Sequence, residues 1–589
     1  VTSNDDNTIF VYEADNQARP ELIVNDSNVS IPQGSILGVV SRLTDNINSH
    51  FSATFNNSTI NGGMLASGEN VKFNDIESIT ENIQLTFNNS TVSGVTTTDS
   101  NSVLNLNLNN SNWTTKAFTD EDGVVQTTSL TNLALNNGVV NLANDNYQGI
   151  IVRGNLTGSG TFNLNTNIAE NKSDKIVVKG TAEGNHKIGV TNQGANVANG
   201  KVTLVETNGG NAAFSLTNPN NRVDLGAYQY FLTKEGNNWV LANSKNAVTP
   251  IPPVAPVTPS KPVVTPSKPV VTPSKPAVTP STPVVTQSNP VVPPAVLPSA
   301  PLLSDLANAQ VSLRQAQLLL VEDDLSGIHQ RLGEVKNGEK GNVWVRNVNS
   351  RQKLAALSTG ESETSGFKQN VHSLQVGADA AVTDNLRVGG FVGRSQANVD
   401  FSGYYGDGKV RSNSVGLYAA YLADNGIYVD NIVKYSRLHA NSDHTEKRHY
   451  NAYTISSELG KRFSLANDWT ITPQAQLAWT HISSQENEDS LSSVYSRIGL
   501  RVAKGFALSN GWNLQPYAEV NAITSKNRSS KIHYTNSALD VASSRGRFES
   551  AVGLNAGFAN HRFGLEVSRA DGKNFDKPYA IQAVYRYQW

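Results

Sequence analysis

Three histidines at five-residue intervals, His439, His444 and His449, enclose Asp443 and Glu446. Imidazole and carboxylate are metal ligands, and a loop could bring them together. Five-residue spacing matches no zinc pattern, however, and a solvated loop at a barrel's outer rim accounts for the run, so no metal site is expected. Other chemistry is equally thin. The chain has no cysteine, which removes thiolate catalysis, thiolate metal sites and disulfides. Neither a GDSG-type nucleophile turn nor a GxSxG elbow occurs. The first 245 residues hold only His50 and His186, too few for a Ser-His-Asp triad without other support. The expectation is a non-enzyme without cofactors; the alternative is a carrier whose catalytic part lies upstream of Val1.

The elements that would position any such residues are strands. In the last eleven residues Tyr579, Ile581, Ala583, Tyr585, Tyr587 and Trp589 alternate with Ala580, Gln582, Val584, Arg586 and Gln588. One face is apolar and aromatic and the other mostly polar, as a strand between lipid and water requires. Trp469 to Trp479 and Trp512 to Ala522 repeat the pattern, and Ile427, Val429, Val433 and Tyr435 lie opposite Asp430, Lys434 and Ser436. Trp469 and Trp479 mark the two ends of one strand, where interfacial aromatics belong. Inward charges such as Asp430, Lys434, Glu519 and Arg586 are expected to meet water or a plug. The terminal Trp589 resembles the C-terminal signal of bacterial outer-membrane barrels, which the barrel assembly machinery reads.

Composition agrees. With 589 residues the chain exceeds one domain, and a formal net charge of -2 argues against nucleic acid as a partner. No run of about 18 apolar residues is present, so a helical membrane span is not expected. The first residue is Val1 and the sole methionine is Met64, which suggests a removed secretory signal or a fragment.

Residues 1–146 are rich in Asn, Ser and Thr and repeat a short motif: Phe55-Asn56-Asn57-Ser58, Phe87-Asn88-Asn89-Ser90, Leu108-Asn109-Asn110-Ser111 and Leu135-Asn136-Asn137-Gly138. Short strands closed by Asn turns at such intervals predict coils of a parallel β-helix, with Asn supplying left-handed turns and stacked ladders. Residues 147–245 run through GSGTFNLNT, SDKIVVKGTAEGNHKIGVTNQG, VTLVET and VDLGAYQYFL to Trp239. This block resembles the junction, or autochaperone, of pertactin-like (AIDA-type, type Va) autotransporters. The resemblance implies a segment that caps the solenoid, whose last coil otherwise exposes an edge.

Residues 246–301 repeat TPSKPVV and hold 17 of the 23 prolines, so they predict a polyproline II linker. Fully extended, about 50 residues would reach on the order of 150 Å. Residues 302–335 read as a helix capped by Ser304. Its end, Arg331-Leu332-Gly333-Glu334, resembles the family's pore-threading helix. Some relatives cut their passenger free there with an Asn that attacks its own backbone carbonyl. Alignment on those four residues places Ser326 at that position, with Asp323 and Asp324 just upstream. Serine has no amide nitrogen, so passenger and barrel are expected to stay joined.

Residues 336–589 predict about twelve strands, with tight turns at 383–385, 424–426, 467–468 and 509–511, and longer loops near 401–409, 439–449, 484–490 and 526–540. The expected fold is all-β: a right-handed parallel β-helix passenger plus a 12-stranded transmembrane β-barrel threaded by an α-helix. The resemblance implies type V secretion, an outer-membrane location with a surface passenger, and outer-membrane lipid and assembly machinery as partners. Host surfaces or sister cells would meet the passenger as an adhesin or aggregation factor. Its ligand is not legible, nor is any binding residue.

Overall fold

The computed structural model describes every residue except 3–7, 14–18, 42–47, 71–79, 99–101, 120–122, 124, 143–146, 244–300 and 333–337. The proline-rich repeats therefore lie outside the described residues.

The N-terminal region is a parallel β-helix. Asn48–Asn56 pairs in parallel with Thr80–Asn88, which pairs with Val103–Asn109, which pairs with Asn132–Asn141. The repeated motif explains each corner. Its first Asn joins a ladder: Asn56 donates to Asn25, Asn88 to Asn56 and Asn109 to Asn88, at 2.7–2.8 Å. Its second residue turns the chain in the left-handed region, φ 46–55° at Asp26, Asn57, Asn89, Asn110 and Asn137, where Asn and Asp are tolerated. Its Ser hydroxyl accepts the backbone N–H of the preceding coil, as from Ser58 to Ser90 at 3.0 Å. The Phe before the motif points inward, and Phe55 stacks on Phe87 at 5.2 Å. Three residues thus close one corner, and their neighbours fill the core.

The solenoid ends in a cap. Parallel pairing runs from Gly149–Val152 through Lys175–Val178 to Lys201–Thr207, and then turns antiparallel at Asn238–Ala242 and Tyr228–Glu235. An antiparallel hairpin cannot continue the coil, so it covers the last edge.

Twelve antiparallel strands close the C-terminal barrel. They are β1 (Gly341–Leu354), β2 (Phe367–Ala381), β3 (Leu386–Phe401), β4 (Asp407–Leu422), β5 (Ile427–Ser442), β6 (Thr445–Lys461), β7 (Trp469–Ile482), β8 (Leu491–Lys504), β9 (Trp512–Asn527), β10 (Arg547–Phe558), β11 (His561–Gly572) and β12 (Phe575–Gln588). Pairing of β1 with β12 closes the ring. Outward positions carry Leu417, Ile498 and Val552 at 62–71% exposure, an apolar belt that lipid must cover. Among the described residues, no helix is long and apolar enough to cross a membrane.

Two strands reach further than the sequence suggests. The expected loop at 439–449 is a turn at Asp443-His444 between β5 and β6, so His439 and His449 are strand residues. They face each other as cross-strand partners.

Candidate functional site: the plugged pore and its mouth

Helix α1 (Asp305–Leu332) occupies the barrel lumen. Ser304 caps it by accepting from Ala307 N at 3.1 Å. From Ala307 to Leu325 every side chain except the half-buried Asp323 is buried, polar ones included. Burial on all sides fits a helix surrounded by wall, not one lying on a surface. The upper half meets an apolar collar that includes Val410, Leu438, Ala452 and Ile482, where Leu313 and Leu320 pack.

Below the collar the helix turns acidic, and the wall answers. Glu322 accepts from Ser525 at 2.7 Å. Asp323 lies 3.8 Å from Lys577. Asp324 accepts from Ser373 at 2.7 Å and from Ser395 at 2.6 and 2.7 Å. Lys434 donates to Val321 O at 3.1 Å, and Arg346 reaches Asp324 O. Each of the three carboxylates has a hydroxyl or ammonium partner from the wall, which fixes the helix in depth and rotation. Of the inward charges singled out by the sequence, Lys434 meets the helix. Glu519 pairs with Arg497 at 3.2 Å, and Arg586 with Glu339 at 3.3 Å near the lower opening. Ser326 belongs to α1, one turn past Glu322, and its side chain is outside the described residues, as are those of Arg331 to Glu334.

At the upper mouth, barrel loops fold over the helix. Buried Glu488 accepts from Arg448 and Tyr450, each at 2.8 Å, and lies 3.6 Å from Arg314 of the helix. A hairpin of Lys531–Tyr534 with Ser537–Asp540 adds Ile532 and Leu539 to the lid.

The passenger cap docks on this mouth. Arg222 forms an ion pair with Asp305, and Gln229 donates to the same carboxylate at 3.0 Å. Tyr404 of the β3–β4 loop donates to Gln229 at 2.9 Å, with Arg222 5.3 Å from its ring. His444 stands 3.6 Å from Asp305, and Asn196 donates to Ser537 at 2.9 Å. Burial alone would lower the Arg222 guanidinium, but Asp224 and Asp305 hold it above its ordinary value. Burial raises Asp224. Asn243 donates to Leu302 O at 3.1 Å, so the residues bracketing 244–300 meet at one point. The linker's contour length therefore does not set the distance between passenger and barrel.

At the chain's end, Trp589 N donates to Gly341 O at 3.1 Å, and its indole lies over Gly341, where a Cβ would sit 2.3 Å from the ring. His186 is buried between Phe162 and Phe214, with Nε2 3.0 Å from Glu183 O, and burial lowers its pKa. It is a core ring. His439 and His449 meet edge to face at 4.4 Å, while His444 faces Asp305, so the sequence cluster divides. Among the described residues, no group of three or more metal-capable side chains converges.

The family profile described as "Autotransporter beta-domain" matches residues 343–568, and that described as "Pertactin" matches 130–243. Residues 343–568 thus carry an autotransporter β domain and residues 130–243 a pertactin-type segment. The pertactin autotransporter of Bordetella parapertussis is 32% identical over 397 residues, 62% of this chain and 41% of that protein. The BrkA autotransporter of Bordetella pertussis is 25% identical over 309 residues, 49% and 30% respectively. The solved β domain of the Bordetella autotransporter BrkA aligns with 43% of this chain and all of that one, at 26% identity and a TM-score of 0.37. The chain thus spans less than half the length of the curated relatives it matches. As in other autotransporters, the barrel sits in the bacterial outer membrane and the passenger lies at the cell surface.

Proposed function

We propose that this autotransporter displays its β-helix as a tethered adhesin or aggregation factor, without catalysis of its own. One observation carries the reading: the last coil is fastened to the mouth of a barrel whose lumen the next helix fills. Such an arrangement presents the Asn-laddered solenoid to a host surface or a sister cell. Burial of His186 in an aromatic stack supports a structural passenger. The working partition is 1–146 passenger, 147–245 junction, 246–301 linker, 302–335 pore helix and 336–589 barrel. Trp589 serves as the signal to the assembly machinery, and Ser326 marks the position where relatives process. The test is surface display and cell aggregation by the intact chain against a chain lacking residues 1–145. Loss of aggregation with the barrel still displayed supports the reading; unchanged aggregation overturns it.

A further inference from the structure

We propose that the outward face of β3 to β6 binds the phosphate groups of an outer-leaflet lipid headgroup. Arg394, Arg411 and Arg437 stand on three adjacent strands, grouped around Asn413. The register places Asn413 opposite both Arg394 and Arg437, and Arg411 lies two residues along on the same face. Neighbouring strands are about 4.8 Å apart and same-face residues about 6.8 Å apart, so the three stems start within roughly 10 Å of one another. Lys409 and Lys447 extend the group on the loop side. Among the described residues, none of these five cations has a carboxylate within ion-pair distance. Elsewhere on the outer wall Arg569 is held by Asp571 at 2.9 Å.

Depth selects the ligand. One step toward the membrane from the arginines runs the row Val392, Val415, Tyr435 and Tyr453, in continuous register, with the two tyrosine rings 5.4 Å apart. The following row is Leu417, Val433 and Ile455. Paired tyrosines above an apolar belt mark the interface, so the arginines stand at headgroup depth. Like charges crowded there repel one another unless a counter-anion is shared. A phosphate is the anion that guanidinium groups match in shape and charge. Asp400, Asp407 and Asp443 line the cleft above, beside Lys409, and keep an anion down at arginine level. A lipid reaches that place from within the leaflet, with its chains against Val415 and Leu417.

The experiment uses the purified full-length chain in detergent and native mass spectrometry. The probes are bisphosphorylated lipid A, its fully dephosphorylated form, and inorganic phosphate alone. The parent protein should retain the phosphorylated lipid at least tenfold more tightly than either other probe. Arg394→Gln/Arg411→Gln/Arg437→Gln should lose that tenfold, whereas Arg569→Gln should keep it. Equal retention by the triple variant overturns the proposal, as does equal retention of dephosphorylated lipid. Binding of inorganic phosphate as tight as that of the lipid would mean a soluble-anion site and also overturns it. Should the triple variant fail to fold, the comparison of lipids on the parent protein decides alone.

Discussion

Arg222 and Asp305 form a buried ion pair across 83 residues of chain, joining the passenger cap to the first residue of the pore helix. Removing one partner of such a pair costs on the order of 3 kcal/mol, because the other charge stays buried. Asp305→Asn should therefore loosen the passenger from the mouth. The chain has no cysteine, so Asn196→Cys with Ser537→Cys is a clean reporter of docking. Cross-linking on whole cells should be efficient in the parent background and drop several-fold with Asp305→Asn. Equal yields would show that the ion pair does not hold the passenger down.

The seam between β1 and β12 depends on Gly341, because only a residue without Cβ admits the Trp589 indole. Gly341→Val should displace the indole, and Trp589→Asp should remove it from the interface. Both should lower the amount of heat-modifiable folded barrel in the outer membrane several-fold. Normal amounts in both variants would remove Trp589 from barrel assembly.

Ser373 and Ser395 are cross-strand partners whose hydroxyls both reach Asp324. Replacing both with Ala leaves a buried carboxylate short of donors, at about 1–3 kcal/mol per lost partner. The helix should then shift more often, so planar-bilayer recordings should show more frequent openings than in the parent. Deleting residues 302–335 should leave the pore open throughout. A closed pore in the deletion would mean that the loops, not the helix, block it.

Period-two alternation made the barrel legible, since lipid and lumen impose opposite chemistries on successive residues such as Val415 and Ser414. The Asn-Asn-Ser corners were legible because each position has its own backbone or ladder task. The docking of passenger on mouth was not. Arg222, Gln229, Tyr404 and Asp305 come from three separate stretches and carry no spacing signal; the fold alone brings them together. The loop expected at 439–449 was drawn too long for a related reason. Strands β5 and β6 run on past the expected loop, so His439 and His449 point outward while His444 sits at the turn.

Asp174 links two coils, accepting from Gln148 N at 2.7 Å and Asn165 N at 2.6 Å. Burial raises its pKa to about 6, against the lowering pull of those two N–H groups. A folded pKa above the unfolded value favours the folded state below the unfolded pKa, near 4. That contribution is lost as pH rises through about 6, a change of up to roughly 3 kcal/mol. Protease resistance of the passenger on the full-length chain should therefore decline from pH 4.5 to 7. Asp174→Asn should flatten this component of the profile. An unchanged slope in that variant would assign the pH response to other groups.

The last expectation concerns release. Cyclisation by the relatives' route needs a side-chain amide, and alignment on Arg331 to Glu334 puts Ser326 in its place. The neighbouring acids are poor substitutes. Asp324 is clamped by two hydroxyls, and Asp323 faces Lys577, so neither carboxylate is a ready electrophile. Attack would also require a backbone amide that the helix holds in its own hydrogen bonds. Whole-cell blots with antibodies to each end should therefore show one full-length species. Ser326→Asn restores the amide and should yield a barrel fragment beginning near residue 326. Such a fragment from the parent chain, in a strain lacking surface proteases, would show that release does not depend on the amide.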